Sequence, residues 1–297
     1  MTATGHRPQT IAQMLARGTV SLATRSDSPR ADAALLLAYV AGKPKEWIFA
    51  HGEAFLSKAQ GDKFASLCEL RAAGTPIAYI LGFAGFYGRD FAVSDKVLIP
   101  RPETEHLVEE ALAYARERAG QLLPKQVVTL LDVGVGSGAI ACTIAAELAQ
   151  TFVEGTDISA DAIKVAEHNA KRLNVANRCK FLLGDLGTPV LDRSYDVVIA
   201  NLPYVPSGDL PKKPEPAGFE PSEALDGGLD GLDAYRRFLP QAKRLVKAGG
   251  LVLLEAAPPT IERLMVLVSE TFLLAEIALG EDYGGRLRYV KVKAPIR

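Results

Sequence analysis

From residue 127 onward the chain alternates short apolar runs with amphipathic segments, and this alternation restricts the possible folds more than any other feature. Apolar runs at 127–133, 152–156, 180–183, 196–200 and 251–255 have the composition of strands buried on both faces. Helical patterns at 139–148 and 160–173 separate the first three. Parallel strands need a crossover between them, so strands alternating with helices imply a parallel sheet covered on both faces. Residues 286–293 alternate apolar and charged side chains and read as an antiparallel edge strand.

The first quarter of the chain has a different pattern. Ile11, Met14 and Leu15 fall at helical spacing, and Ser28 and Pro29 stand as cap and first helical residue before Ala31, Leu35, Leu36 and Tyr39. Ser57 and Gln60 form a capping-box pattern ahead of Phe64, Leu67 and Leu70. Residues 8 to about 75 therefore read as a small all-helical domain. Gly82, Gly85 and Gly88 then punctuate an aromatic stretch (Phe83, Phe86, Tyr87, Phe91) that runs through Ser94 and Asp95 into Val97, Leu98 and Ile99, as a β-hairpin linking two domains would. Pro100 and Pro102 end it, and a helix is expected from near Glu103, with Leu107, Val108, Ala111 and Leu112 on one face. The expected organisation is a helical domain over 1–78, a hairpin linker over 79–101 and an α/β domain over 102–297. A chain of 297 residues is long enough for two cores.

Composition removes several classes of function. The 34 basic and 35 acidic residues give a net charge of -1, so no overall field draws the chain onto phosphate backbones, and no stable nucleic-acid binding is expected. The apolar run at 33–41 is much shorter than the roughly 20 residues of a membrane helix. Residues 1–10, with His6, Arg7 and Pro8, lack the apolar core of a secretory signal, which makes the cytoplasm the expected compartment. Cys68, Cys142 and Cys179 are odd in number and far apart, as reduced packing residues are, and with four His and no paired Cys no metal site is expected.

The chemistry concentrates at strand ends. Gly134, Val135, Gly136, Ser137 and Gly138 follow a strand and open a helix, where glycines admit close approach of a ligand and free N–H groups face it. A merely tight turn, or a dinucleotide loop, has the same look. Asp157 closes the next strand, where a carboxylate accepts ribose hydroxyls or caps the following helix. Asp185 follows the third strand, where an adenine amine could be met or, with Gly184, a plain turn made. These features leave nicotinamide and S-adenosylmethionine enzymes in competition. The turn Asn201, Leu202, Pro203, Tyr204 favours the second: the Asn201 side-chain oxygen and the Leu202 carbonyl are two acceptors for one NH2 group, and Tyr204 offers a flat face. Such a turn suits methyl transfer to a planar amide or aromatic amine. Residues 203–234, rich in Pro, Gly and Asp, form a loop long enough to be functional or mobile.

These residues resemble the peptide chain release factor N5-glutamine methyltransferases (the HemK/PrmC group) over nearly the whole chain. The resemblance is most specific at Pro76, Ile77, Ala78, Tyr79, Ile80, Leu81 and Gly82 and at residues 97–105 (VLIPRPETE), where Pro102, Glu103, Thr104 and Glu105 point to the release factor branch. Residues 30–51 and 220–235 (EPSEALDGGLDGLDAY) also resemble that family. The resemblance implies a Rossmann-like class I methyltransferase domain with a mostly parallel seven-stranded sheet and an antiparallel last strand, and a monomer. It also implies S-adenosylmethionine as cofactor, held by Gly134 to Gly138, Asp157, Asp185, Leu186 and Asn201. Asn201, Leu202, Pro203 and Tyr204 would hold the glutamine of a release factor's Gly-Gly-Gln motif, with Asn201 and Tyr204 catalytic. Leu202 stands where the family usually has Pro, Leu186 where it often has an aromatic, and Ala257, Pro258 and Pro259 replace a Gly and Gln after the fifth strand's Glu. An adenine N6-methyltransferase and a cofactor-binding scaffold without catalysis are the competing expectations.

Overall fold

The computed structural model describes residues 9–258 and 260–296. Residues 1–8, on which the expected lack of a signal partly rests, and Pro259 lie outside them. By contacts the chain forms two compact units. One runs up to Gly82 and includes Pro211–Phe219; the other comprises Phe83–Leu210 and Glu220–Arg297.

The first unit holds α1 (Ile11–Leu22), α2 (Pro29–Ala41), α3 (Lys45–Ala50), α4 (Lys58–Ala72) and α5 (Ile77–Leu81). Ser57 and Gln60 make the full capping box at α4. Ser28 precedes Pro29 as expected, but its side chain makes no cap hydrogen bond. Ile11, Met14, Leu36, Leu37, Ile48 and Phe64 are buried together as this unit's core.

The second unit opens with a hairpin of β1 (Phe83–Phe86) and β2 (Arg89–Ala92). Phe86 and Phe91 meet edge to face at 6.0 Å and join the core beneath. The expected continuation of strand through Val97, Leu98 and Ile99 is absent: that segment is irregular, with prolines following it. A 3-10 turn at Pro102–Thr104 leads into α6 (Glu105–Ala119). Then come β3 (Val128–Val133), α7 (Ala139–Glu147), β4 (Thr151–Asp157), α8 (Ala160–Arg172), β5 (Cys179–Leu183), β6 (Tyr195–Ala200), α9 (Asp233–Leu245), β7 (Val246–Glu255), α10 (Thr260–Thr271), β8 (Glu276–Glu281) and β9 (Leu287–Lys293).

The seven-stranded sheet has the order β5-β4-β3-β6-β7-β9-β8, parallel except for β9. Successive residues point to opposite faces. Leu130, Val197 and Ile199 pack under α6, α7 and α8, whereas Leu131, Val198 and Ala200 pack with α9 and α10 residues such as Phe238 and Leu264. The expected edge strand is corrected here. β9 lies between β7 and β8, and β8, which the sequence reading missed, forms the edge. The charged face of β9 is covered rather than solvated. Tyr289 Oη donates to Glu110 of α6 at 3.0 Å, Lys291 Nζ lies 2.5 Å from the same carboxylate, and Lys293 Nζ sits 4.1 Å from the Tyr114 ring centroid. Among the described residues no helix is long and apolar enough to cross a membrane.

Chain connections reverse direction at β3, which has β4 on one side and β6 on the other. Ligands of open α/β sheets bind at the carboxyl ends of strands at such a switch point.

Candidate active site

The carboxyl ends of β3, β4 and β6 border a cleft of ≈ 480 Å³ lined by Gly134, Gly136, Asp157, Asp185, Leu186, Asn201, Leu202 and Pro203, among others. Gly134, Gly136 and Gly138 all have positive φ, at 77°, 53° and 78°, a region side chains rarely adopt. Their surroundings separate their uses. A Cβ on Gly134 would meet the Asn201 carbonyl oxygen and Leu202 Cδ2 at 3.4 Å, an ordinary contact, so the positive φ rather than lack of space calls for glycine there. One on Gly138 would press on Ala166 at 3.1 Å, so Gly138 sets the spacing of α7 and α8. Beside Gly136 the space is open, its own loop carbonyl being 3.9 Å away. Val135 and Ser137 are buried, and neither they nor Gly138 line the cleft.

The cap of α8 is Ser159, whose side chain accepts from Ala162 N–H, and Asp157 supports it from the end of β4. The Asp157 carboxylate accepts from Gly136 N–H and Ser159 N–H, each at 2.9 Å, which orders the glycine loop and the entry to α8 while the group still borders the cleft. Burial raises its pKa despite these bonds, and the neighbouring Glu223 raises it further. Asp132, at the end of β3, accepts from Ala141 N–H at 3.1 Å, but its Oδ1 is buried without a partner and burial pushes its pKa up to about 7. Asp185 pairs with Arg237 of α9. Leu186 holds the left-handed φ of 52°, unusual for leucine. Ile158, 65% exposed, adds an apolar wall beside Asp157.

The turn after β6 is held from several sides. Leu202 N–H donates to Tyr235 Oη at 3.3 Å, and Tyr235 in turn donates to the Glu255 carbonyl. Leu202 is buried, so packing replaces the rigidity that a second proline would give. Asn201 Nδ2 donates to Thr104 Oγ1 at 3.2 Å. Tyr204 Oη donates to Glu255 Oε1 at 3.4 Å, and burial followed by the Glu255 charge drives the phenol pKa well up, keeping it protonated. Tyr204 does not line the cleft; it stands behind the turn.

The sequence reading missed part of this wall. Lys96, Val97 and Leu98 line the cleft, as do Pro221, Glu223, Ala224, Asp226 and Gly228 of the long loop. Val205 N–H bonds the Leu225 carbonyl at 3.0 Å and Gly227 N–H bonds the Val205 carbonyl at 2.8 Å, lacing the loop beside the turn. The buried Glu220 carboxylate accepts from Ile99 N–H at 3.2 Å and pairs with Arg101. The loop's Pro- and Gly-rich composition and length were the available signal.

Known proteins match the chain in both of its segments. The family model of the PrmC N-terminal domain matches residues 13–82, and that of a methyltransferase domain matches residues 124–275. A release factor glutamine methyltransferase of Moorella thermoacetica is 38% identical over 262 residues, 88% of this chain and 90% of the relative. One of Bradyrhizobium diazoefficiens is 34% identical over 94% of this chain and 93% of its own length, and one of Coxiella burnetii 38% identical over 83% and 86%. Among solved structures a methyltransferase from Pyrococcus furiosus superposes with a TM-score of 0.50 at 18% identity, covering 71% of this chain and 92% of that one, a likeness of fold. Identity at this level over more than four fifths of the chain means that the chain belongs to the release factor glutamine methyltransferase family.

Proposed function

We propose that the chain transfers a methyl group from S-adenosylmethionine to the side-chain amide nitrogen, N5, of a release factor glutamine, the one in the Gly-Gly-Gln motif. The observation that carries this reading is the anchored amide of Asn201 beside the glycine loop. Its Nδ2 is committed to Thr104, which leaves Oδ1 as an acceptor for another amide's N–H.

The cleft residues fit the cofactor. The open face at Gly136 and the N–H groups of the loop suit its amino-acid end, Asp157 is placed at a strand end to accept ribose hydroxyls, and Ile158 and Leu186 offer apolar walls for a flat base. Arg237 holds Asp185, so Asp185 acts toward the cofactor only through that pair. When bound, S-adenosylmethionine supplies an electrophilic methyl group on a sulfonium.

A neutral amide nitrogen is a weak nucleophile because its lone pair is delocalised into the carbonyl. In this reading Asn201 Oδ1 and the Leu202 carbonyl accept the two amide hydrogens and aim the nitrogen at the methyl group, while Pro203 walls the amide plane and Tyr204 braces the turn from behind through Glu255. The nitrogen would form the new N–C bond with the methyl group, the electron pair of the methyl–sulfur bond remaining on sulfur as a neutral thioether, and would then release one N–H proton to water, restoring the neutral amide. Placement and exclusion of water are the protein's contribution.

The helical residues 1–78 serve in this proposal as the docking domain for the release factor, residues 79–101 as the linker and 102–297 as the methyltransferase domain. The enzyme works as a cytoplasmic monomer, and the net charge of -1 gives it no general hold on nucleic acid. The test is Asn201→Ala assayed with labelled cofactor and an intact release factor. Methyl transfer falls by about 10²-fold or more while cofactor binding by calorimetry is retained. Normal turnover in that variant, or label entering nucleic acid instead of protein, overturns the reading.

A further inference from the structure

The rim of the cleft is assembled from stretches of chain that are distant in sequence. Lys96, Val97 and Leu98 form one stretch, and Pro221, Glu223 and Ala224 form another. The first has no regular structure, and Pro100 and Pro102 behind it bring no N–H groups, so a backbone ladder cannot hold it in place. A side chain from the second stretch takes over. Glu220 accepts from Ile99 N–H through Oε2 at 3.2 Å and pairs through Oε1 with the Arg101 guanidinium.

Glu220 stands where such a hold has most effect. It is the residue at which the chain rejoins this unit after Pro211–Phe219, and it directly precedes Pro221 of the rim. Farther along, Val205 N–H bonds the Leu225 carbonyl at 3.0 Å, tying the second stretch to the turn after β6. Asn201 of that turn donates to Thr104 at 3.2 Å, just beyond Arg101. The bonds therefore close a circuit: from 99–104 to the turn, from the turn to 220–225, and back through Glu220 to Ile99 and Arg101. Opened at one joint, such a circuit leaves two arms that move separately.

We propose that Glu220 is a positioning residue whose bonds to Ile99 and Arg101 hold these two stretches of rim together beside bound S-adenosylmethionine, and so set how long the cofactor stays. This rests on the cleft being the cofactor site, as read above. The Glu220 side chain is 2% exposed and that of Arg101 34%. Parting the rim at this joint strips a buried carboxylate of both its partners, which is costly, so release of the cofactor is slowed by that cost. Asp157 and the glycine loop lie outside the circuit, and the chemistry of methyl transfer is left to them and to the turn.

The experiment measures the dissociation rate of S-adenosylhomocysteine by stopped flow and its affinity by calorimetry, with thermal unfolding of each variant. Glu220→Gln keeps the shape and an acceptor for Ile99 N–H but loses the charge that faces Arg101, and dissociation should quicken by about tenfold. Arg101→Gln should match it, the double variant should be no faster than either, and Arg101→Lys, which keeps the charge, should stay near wild type. Methyl transfer in a single turnover of enzyme already loaded with S-adenosylmethionine should keep its wild-type rate. Lys247→Met is the control for mere loss of stability. It breaks a buried pair with Asp196, 2.8 Å long, near the amino ends of β6 and β7 and away from the cleft, and should lower the unfolding temperature without hastening release. Should one of the two glutamine variants fail to fold, the other decides. A wild-type dissociation rate in Glu220→Gln or Arg101→Gln, effects that add in the double variant, or equally fast release from Lys247→Met overturns the positioning role and leaves the methyltransferase reading intact. A wild-type enzyme that binds neither S-adenosylmethionine nor S-adenosylhomocysteine sinks both.

Discussion

Asp132 and Glu255 share an unusual condition: each lies in the last two residues of a strand, is almost wholly buried, and has one oxygen without a hydrogen-bond partner. Burial raises both to about 7. An unfolded chain loses these protons near pH 4. Between about 4 and 7 the folded protein thus binds more protons than the unfolded one, and linkage makes stability fall as the pH rises across that window. Asp132→Asn removes one such group but keeps an oxygen for Ala141 N–H. Urea unfolding of this variant should gain on wild type by about 2 kcal/mol between pH 5 and pH 7; a difference that stays constant with pH would show that Asp132 is not the group responsible. In the sequence Asp132 lies within one apolar run, 127–133, and Glu255 ends another, 251–255. Burial and partnership are set by residues distant in the chain, such as Tyr204 for Glu255.

At the level of elements, what could be read was what local chemistry encodes. Strands β3 to β6 are nearly continuous apolar runs, and Gly138 follows from the need for a left-handed residue at the start of α7, where φ is 78°. Gly138→Ala meets both a disfavoured backbone and Ala166 at 3.1 Å. It should destabilise the domain by about 2 kcal/mol or more, read from denaturant midpoints. An unchanged midpoint would mean that α7 and α8 give way at no cost. Two helices escaped the reading. α9 contains Pro240 in its interior, and its charged residues blur the apolar spacing of Tyr235, Phe238, Leu239 and Ala242. α10 follows two prolines that suggest only irregular chain. β8 has no fully buried residue, so it carries little of the signal that marks its neighbours. The turn after β6 was legible as a site because its residues are adjacent in sequence. Its support was not, since Thr104, Tyr235 and Glu255 reach it from separate segments. The signature at 97–105 and the run at 220–235 look unrelated on the line, and Glu220 joins them through Ile99 and Arg101.

For the whole molecule, grouping is as much a matter of distant contacts as of sequence blocks. Gly74 has φ +102°, and a Cβ there would fall 2.0 Å from the carbonyl oxygen of Pro214, a packing that no local pattern around either residue encodes. The balanced charge contributes nothing to fold, but it bears on encounter: association with a release factor should depend only mildly on salt. The sheet order has a further consequence, in time rather than in space. Val290 and Val292 of β9 are fully buried, and β9 is the partner through which β8 joins the sheet. A chain emerging from a ribosome can therefore have made its glycine loop, its acceptor turn and even β8, and still have a slot in its sheet that only residues 287–293 can fill. Until then it exposes an apolar strand flank of the kind chaperones hold, so β9, made after the other six strands of this sheet, is the one that completes it.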